Sequence, residues 1–281
     1  MSKNHRKSKN ITASKKVEVI LPSLVDIVMP NRGRFDLLAR CLDAIPSAAK
    51  DISYNVWICD NGSPKGEAEK FYAEYIRDRR IHPTIFPDPK GYPLACNFAA
   101  KQGKSPLILI LTNDVFLHEG SLDKLVREMD DPKNGLVGMK LLFPPESPHG
   151  PAEKVQHVGL SVNIRAEVQH QFIGWRADHP KVLAMRDCFA VTGAVFMTRR
   201  NIWKNIRGFY LGYGLGTYED VNFAVNVRNL GYNVICSQAT AYHMVNATAS
   251  AYGFTYPLNE NKQLFMSRCS KDLQWDEYLY W

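Results

Sequence analysis

Five consecutive aliphatic residues, Leu107-Ile108-Leu109-Ile110-Leu111, constrain this chain more than any other feature. They follow Pro106 and run directly into Thr112-Asn113-Asp114. The run falls far short of the roughly 20 apolar residues that cross a bilayer. It is the longest apolar stretch in the chain, so no transmembrane segment is expected. A short run without polar alternation is a buried strand, of the kind found in parallel sheets covered by helices.

The surrounding pattern agrees. Residues 25–30 form a β-branched run ending in Pro30, followed by the polar turn Asn31-Arg32-Gly33-Arg34. Leu37, Leu38, Cys41, Leu42 and Ile45 then recur on one helical face, and Pro46 is expected to stop that helix. Strands are expected at 55–59 and 81–86, with helices at 67–77, 94–102 and 122–129. Alternation of this kind predicts an α/β fold with a mostly parallel sheet flanked by helices. The second half reads differently. Strands are expected at 136–143, 155–164, 168–173, 189–198, 233–236 and 239–243, and a helix at 218–230 capped by Gly231. No repeat and no linker separates the halves, so one continuous sheet is expected. The organisation expected is a flexible basic tail over 1–22, one domain over 23–250 and a helical extension over 251–281.

The formal net charge of +7 sits largely in the tail, MSKNHRKSKN and the residues after it. Such a tail suits nucleic acid, an anionic membrane surface, or solubility alone. It lacks the apolar core of a secretory signal. None of the six cysteines forms a CxxC pair, and most lie within apolar runs, which fits a reduced, cytoplasmic protein. A place at a membrane surface or in the cytoplasm of an infected cell fits as well.

In open α/β sheets, ligands bind beyond the carboxyl ends of the strands. Three polar turns fall there: Pro30-Asn31-Arg32, Asp60-Asn61-Gly62-Ser63 and Thr112-Asn113-Asp114. None is a GxGxxG turn or a GxxxxGK[ST] loop, which argues against dehydrogenases and P-loop nucleotidases. Asp114 reads either as a turn residue capping the next helix or as a hard-cation ligand. Glu219 and Asp220 open a helix, where acids serve as caps or as a general base. The stretch Gly208–Gly216 before them, rich in glycine and aromatics, suits a mobile loop over a substrate. His157 and His243 each read as structural or as ligands.

In order, these segments resemble glycosyltransferase family 2 with the GT-A fold, in the manner of its rhamnosyltransferase-like members. The resemblance spans about residues 24–245 and is carried by VDIVMPNRGRFDLLARCLDAI, VWICDNGS, GYPLACNFAA, LILILTNDVF, VGMKLLF, VQHVGL, VTGAVFMTRR, GFYLGYGLGTYEDVNFAVNVRNLGYNV and ATAYH.

The resemblance implies an inverting, metal-dependent transfer from a nucleoside-diphosphate sugar, of the UDP or dTDP type, to a saccharide or glycolipid hydroxyl. Pro30, Asn31, Arg32, Asp60, Gly91, Asn97, Thr112 and Asn113 would bind the nucleotide. Asp114 and His243 would hold Mn²⁺ or Mg²⁺. Thr192, Gly193 and Ala194 would line the sugar and acceptor region. Asp220 would be the base and Glu219 an acceptor contact. The sequence departs from the family at Thr112, where many members carry an acid, and at Asn222, where many carry another. Two rival readings remain: transfer to hydroxylated bases of DNA, and a non-catalytic nucleotide-sugar-binding protein.

Overall fold

The computed structural model describes residues 23–163, 165, 167–184, 187–273 and 276. The expected tail, 1–22, lies outside the described residues. The chain runs β1 (Val25–Asn31), α1 (Phe35–Ala48), β2 (Tyr54–Asn61), α2 (Glu67–Tyr75), β3 (Ile81–Phe86), α3 (Tyr92–Gln102) and β4 (Leu107–Leu111). It continues through β5 (Val115–Leu117), α4 (Ser121–Glu128), β6 (Asn134–Leu142), β7 (Val155–His157), β8 (Leu160–Val162), β9 (Val168–His170) and α5 (Pro180–Ala184). It closes with β10 (Val195–Arg199), α6 (Arg200–Ile206), α7 (Glu219–Asn229), β11 (Asn233–His243), α8 (Ala247–Tyr252) and α9 (Leu258–Cys269).

One mixed sheet joins both halves in the order β3-β2-β1-β4-β10-β6-β11-β5, with β7 added beside β6. Strands β1 to β4 pair in parallel, and β10 runs antiparallel between β4 and β6. The aliphatic run of β4 explains why helices cover both faces. Leu107, Leu109 and Leu111 pack with Leu38, Cys41 and Ile45 of α1 and Leu122 of α4. Ile108 and Ile110 pack on the other side with Ala95 and Ala99 of α3, Ile202 and Trp203 of α6, and Phe223 of α7. Each fully buried aliphatic side chain contributes about 1.5–3 kcal/mol over its exposed state.

The topology places the site. Parallel strands β1, β2 and β4 finish at one edge of the sheet, with Asn31 level with Asp60. Strand β10 starts at that same edge because it runs the other way, with Val195 opposite Leu111. The loop before it, residues 192–194, therefore meets the end of β4. At the far side, His243 pairs with Val115, which brings it beside Asp114.

Four expectations are corrected. Pro46 lies inside α1 rather than ending it. It sits on the exposed side, two residues before the helix ends, so only one ladder bond is lost and the helix closes just after it. The expected strand at 155–164 is split into β7 and β8, with Gly159 at φ 116 between them. The expected strand at 189–198 begins only at Val195. Residues 233–243 form one strand, not two, with a bulge between Ser237 and Thr240. There the Ser237 hydroxyl accepts a hydrogen bond from the Ala239 N–H at 3.0 Å.

Candidate active site

A cleft of about 280 Å³ opens at the carboxyl edge of the sheet. Its walls include Pro30, Asn31, Arg32, Gly91, Thr112, Asn113, Asp114, Thr192, Gly193, Ala194, Glu219, Asp220 and His243. Every candidate residue expected from the sequence lines it except Asp60, Asn97 and His157; His157 is fully buried with its Nδ1 2.9 Å from His170 Nδ1.

Asp60 stands behind the wall. It is fully buried, and its Oδ2 accepts hydrogen bonds from Asn31 Nδ2 at 2.9 Å, Ser63 Oγ at 2.8 Å and Tyr72 Oη at 2.9 Å. Burial, with the Asp60 charge behind it, raises the Tyr72 pKa and keeps the phenol protonated as a donor. Asn31 in turn accepts from Asn113 Nδ2 at 2.6 Å. Asp60 thus orients Asn31, and Asn31 orients Asn113 at the end of β4. Arg32 reaches into the cleft with its guanidinium 4.4 Å from the Tyr252 ring centre, while its Nε is buried and unpartnered.

The metal-type pair is held as the chemistry needs. Asp114 does not cap a helix, since strand β5 follows it directly. Its Oδ1 accepts from Thr112 Oγ1 at 2.7 Å and lies 3.6 Å from His243 Nε2. Gln156 grips His243 twice: Gln156 Nε2 donates to the His243 carbonyl at 2.9 Å, and Gln156 Oε1 lies 2.6 Å from Nδ1. An amide oxygen only accepts, so Nδ1 carries the proton and Nε2 presents a lone pair towards Asp114. Burial also lowers the His243 pKa, against an opposing pull from Asp114, which favours the neutral ligand form.

Among the described residues no group of three or more His, Cys, Asp or Glu gathers as a metal cage. The pair nevertheless fits a divalent cation. Asp114 Oδ1 and His243 Nε2, 3.6 Å apart, are a carboxylate oxygen and an imidazole nitrogen, both donor types that bind divalent cations. Cations that work with phosphates are commonly held by one or two protein ligands, with phosphate oxygens and water completing the shell.

The acidic pair lies at the start of α7. Asp220 Oδ2 accepts from the Gly193 N–H at 2.6 Å, and Oδ1 accepts from the Val221 N–H at 2.8 Å. The Gly193 carbonyl accepts from Tyr92 Oη at 2.7 Å. A Cβ on Gly193 would come within 3.3 Å of both Asp220 and Glu219, so a larger residue there would press on the acids and shift them by a few tenths of an ångström. Burial raises the pKa of both acids, and Asp220 raises that of Glu219 further.

Residues 208–216 are pinned at both ends. Asn97 donates to the Phe209 carbonyl at 2.8 Å and accepts from its N–H at 2.9 Å. Asn261 of α9 donates to the carbonyls of Tyr213 and Gly216. These bonds hold both ends of the segment, and Leu215 and Gly216 of it line the cleft. Its exposed tips are Tyr210, Leu211 and Leu215. Sequence reasoning missed Val245 to Thr248, Phe254 and Tyr256, which also line the cleft. The aromatic density of Tyr252, Phe254 and Tyr256 was the available signal. Burial, reinforced by Asp114 and Glu219, pushes the Tyr256 phenol up to about 12.

Residues 26–204 match the family model described as glycosyl transferase family 2. Over 224 residues the chain is 29% identical to the O-antigen biosynthesis protein RfbC of Myxococcus xanthus, covering 77% of this chain but only 17% of that protein. The fold resembles that of GalNAc-T7 with UDP, GalNAc and Mn²⁺, with a TM-score of 0.68 at 12% identity, covering 92% of this chain and 49% of the other. It also resembles the mannosyltransferase PcManGT of Pyrobaculum calidifontis in complex with GDP-Man and Mn²⁺, with a TM-score of 0.58 at 15% identity, covering 90% and 70%. A third likeness is to S. aureus TarS with UDP-GlcNAc, with a TM-score of 0.61 at 12% identity, covering 91% and 69%. The family match spans well over half of the chain, and this protein belongs to glycosyltransferase family 2, with the GT-A architecture.

Proposed function

We propose that the cleft transfers a sugar from a UDP- or dTDP-sugar to a saccharide or glycolipid hydroxyl with inversion at the anomeric carbon. One observation carries the reading: the acid pair Glu219-Asp220 and the ligand pair Asp114-His243 line a single cleft. Asp220 removes the proton from the acceptor hydroxyl. The freed oxygen attacks the anomeric carbon from the face opposite the nucleoside diphosphate, which departs with the bonding electrons. Two backbone N–H groups hold the Asp220 carboxylate in place.

Asp114 and His243 are the residues that would hold Mn²⁺ or Mg²⁺, and a cation there offsets charge on the diphosphate. Arg32 and Asn113 lie on the nucleotide side, with Asp60 supporting them through Asn31. Asn97 acts there by fixing Phe209. Thr192, Gly193 and Ala194 border the sugar. We take residues 23–250 and the helical segment after them as one working unit, because Phe254 and Tyr256 line the same cleft.

Among the described residues no helix is long and apolar enough to cross a membrane. Transfer to DNA finds no support in the relatives above. A pure binding protein is separated from a transferase by turnover. The test is a thermal-shift panel of nucleotide sugars with Mn²⁺ or Mg²⁺, since a ligand of the native state raises the melting temperature by mass action. The reading expects one nucleotide sugar to stand out with metal present and its sugar to be released or transferred with inverted configuration. No shift with any of them, or a product of retained configuration, contradicts it.

A further inference from the structure

Gly193 lies in the cleft wall, and a glycine does not fix its own backbone. Its N–H nevertheless donates to Asp220 Oδ2 at 2.6 Å, a shorter bond than the 2.8 Å one from Val221. Something outside the residue must hold that N–H in line. On the other side of the same Cα, Tyr92 Oη donates to the Gly193 carbonyl at 2.7 Å. The transfer step gives Tyr92 no other task.

Tyr92 is itself held. It opens α3 directly after Gly91, and a Cβ on Gly91 would collide with the Gly214 carbonyl, so the helix start lies hard against the 208–216 segment. The Tyr92 ring lies 5.9 Å from that of Phe209, and a Cβ on Gly216 would stand 3.4 Å from the Tyr92 Cβ. Burial first, then Cys96 and Glu219, raise the Tyr92 pKa well above the usual phenol range, so the hydroxyl stays a donor.

The titratable groups facing Asp220 are Glu219 beside it on α7, Tyr92 of α3 with Cys96 next to it, Tyr213 and Tyr218. None is a cation. Burial raises the Asp220 pKa, and the backbone N–H groups of Gly193, Val221 and Asp220 itself oppose it. The last two belong to α7 and are set by the helix. The Gly193 N–H belongs to the loop before β10, so it alone depends on a tether.

We propose that Tyr92 is the positioning residue of the base: its hydroxyl fixes Gly193, and the Gly193 N–H in turn holds the Asp220 carboxylate for proton removal. The inference rests on the glycosyltransferase reading. Tyr92 acts through Gly193 and not on the sugar. The proton passes from the acceptor hydroxyl to Asp220, and Tyr92 keeps its own.

Tyr92→Phe removes the donor and keeps the ring. Protein labelled with ¹⁵N-glycine reports the Gly193 amide, identified by its loss in Gly193→Ala. Its chemical shift is followed against pH in wild type and Tyr92→Phe, and kcat is measured over the same range. A hydrogen bond to a charged carboxylate, lost outright, raises its pKa by about 1–2. A loosened one should move the amide midpoint up by roughly half to one pH unit. The acid limb of the kcat profile moves up with it. Turnover on that limb therefore falls about 3–10-fold, while the donor dissociation constant and the melting temperature change little. An unmoved midpoint, or a kcat that falls equally at every pH as plain loss of packing would give, overturns the inference. A wild-type protein that turns over no nucleotide sugar overturns the transferase reading instead, and the amide midpoint still judges the tether.

Discussion

Asn261 ties the C-terminal helix to the catalytic edge, and removing its amide tests whether that tie matters. The side chain is 4% exposed. Its Nδ2 lies 2.7 Å from the Gly216 carbonyl, 3.1 Å from that of Tyr213, 3.2 Å from that of Thr217 and 3.0 Å from Thr217 Oγ1. An amide nitrogen has two hydrogens, so two full bonds are shared among four acceptors. Asn261→Ala leaves those acceptors under α9, at about 2–4 kcal/mol if water repairs the loss in part. For a chain of this size each kcal/mol lowers the melting temperature by about 2–4 °C, so a fall of roughly 4–16 °C is expected. Hydrogen exchange should quicken over 213–217, and turnover should fall, because Glu219 and Asp220 follow this segment directly. Asn261→Asp should be worse than Ala, since it sets a carboxylate oxygen against carbonyls. A melting temperature within about 1 °C of wild type, with unchanged exchange at 213–217, would refute the reasoning.

Three further outcomes follow from the same structure. Arg200 holds Asp26 at 2.5 Å in the buried core, and Arg200→Met should cost about 3–5 kcal/mol by removing the counter-charge of a carboxylate that then keeps only the Trp57 and Ser105 donors, read by urea denaturation. Adding Asp26→Asn should restore part of the loss. Gly193→Ala should lower kcat by about tenfold or more while barely moving the melting temperature, since the new Cβ meets both acids at 3.3 Å. Glu219 gives a pH signature: its folded pKa is raised, so its contribution is most favourable below the ordinary value of 4.5 and is lost as pH rises towards the folded value. The melting temperature of Glu219→Gln relative to wild type should therefore climb as pH increases from 4.5 upward; a constant difference would contradict this.

The sequence made the sheet legible because its signals are local. The β4 run, the polar turns at strand ends and the α7 periodicity each lie within a few residues. The cleft-lining positions followed because strand ends converge at one edge in this topology. Less was legible where a residue acts through a partner far along the chain. Asp60 looks like a ligand contact in its turn, yet Asn31, Ser63 and Tyr72 occupy its Oδ2. Asn97 and Asn261 are ordinary helix residues until residues 208–217 are seen between them. Gln156 gave no sign of gripping His243, which lies 87 residues away. Local pattern also failed at Pro46, where the helix runs two residues further before it ends, and at 237–240, where a bulge mimics a strand break.

With Asp220 as the base for sugar transfer, turnover depends on its carboxylate and donor binding does not. The direct measurement is turnover of the nucleotide sugar picked out by thermal shift, for wild type and Asp220→Asn, beside the dissociation constant of that donor. General-base help is worth about 10²–10⁴-fold, so kcat should fall by that factor while donor affinity holds within about threefold. An Asp220→Asn protein turning over at the wild-type rate would contradict the account.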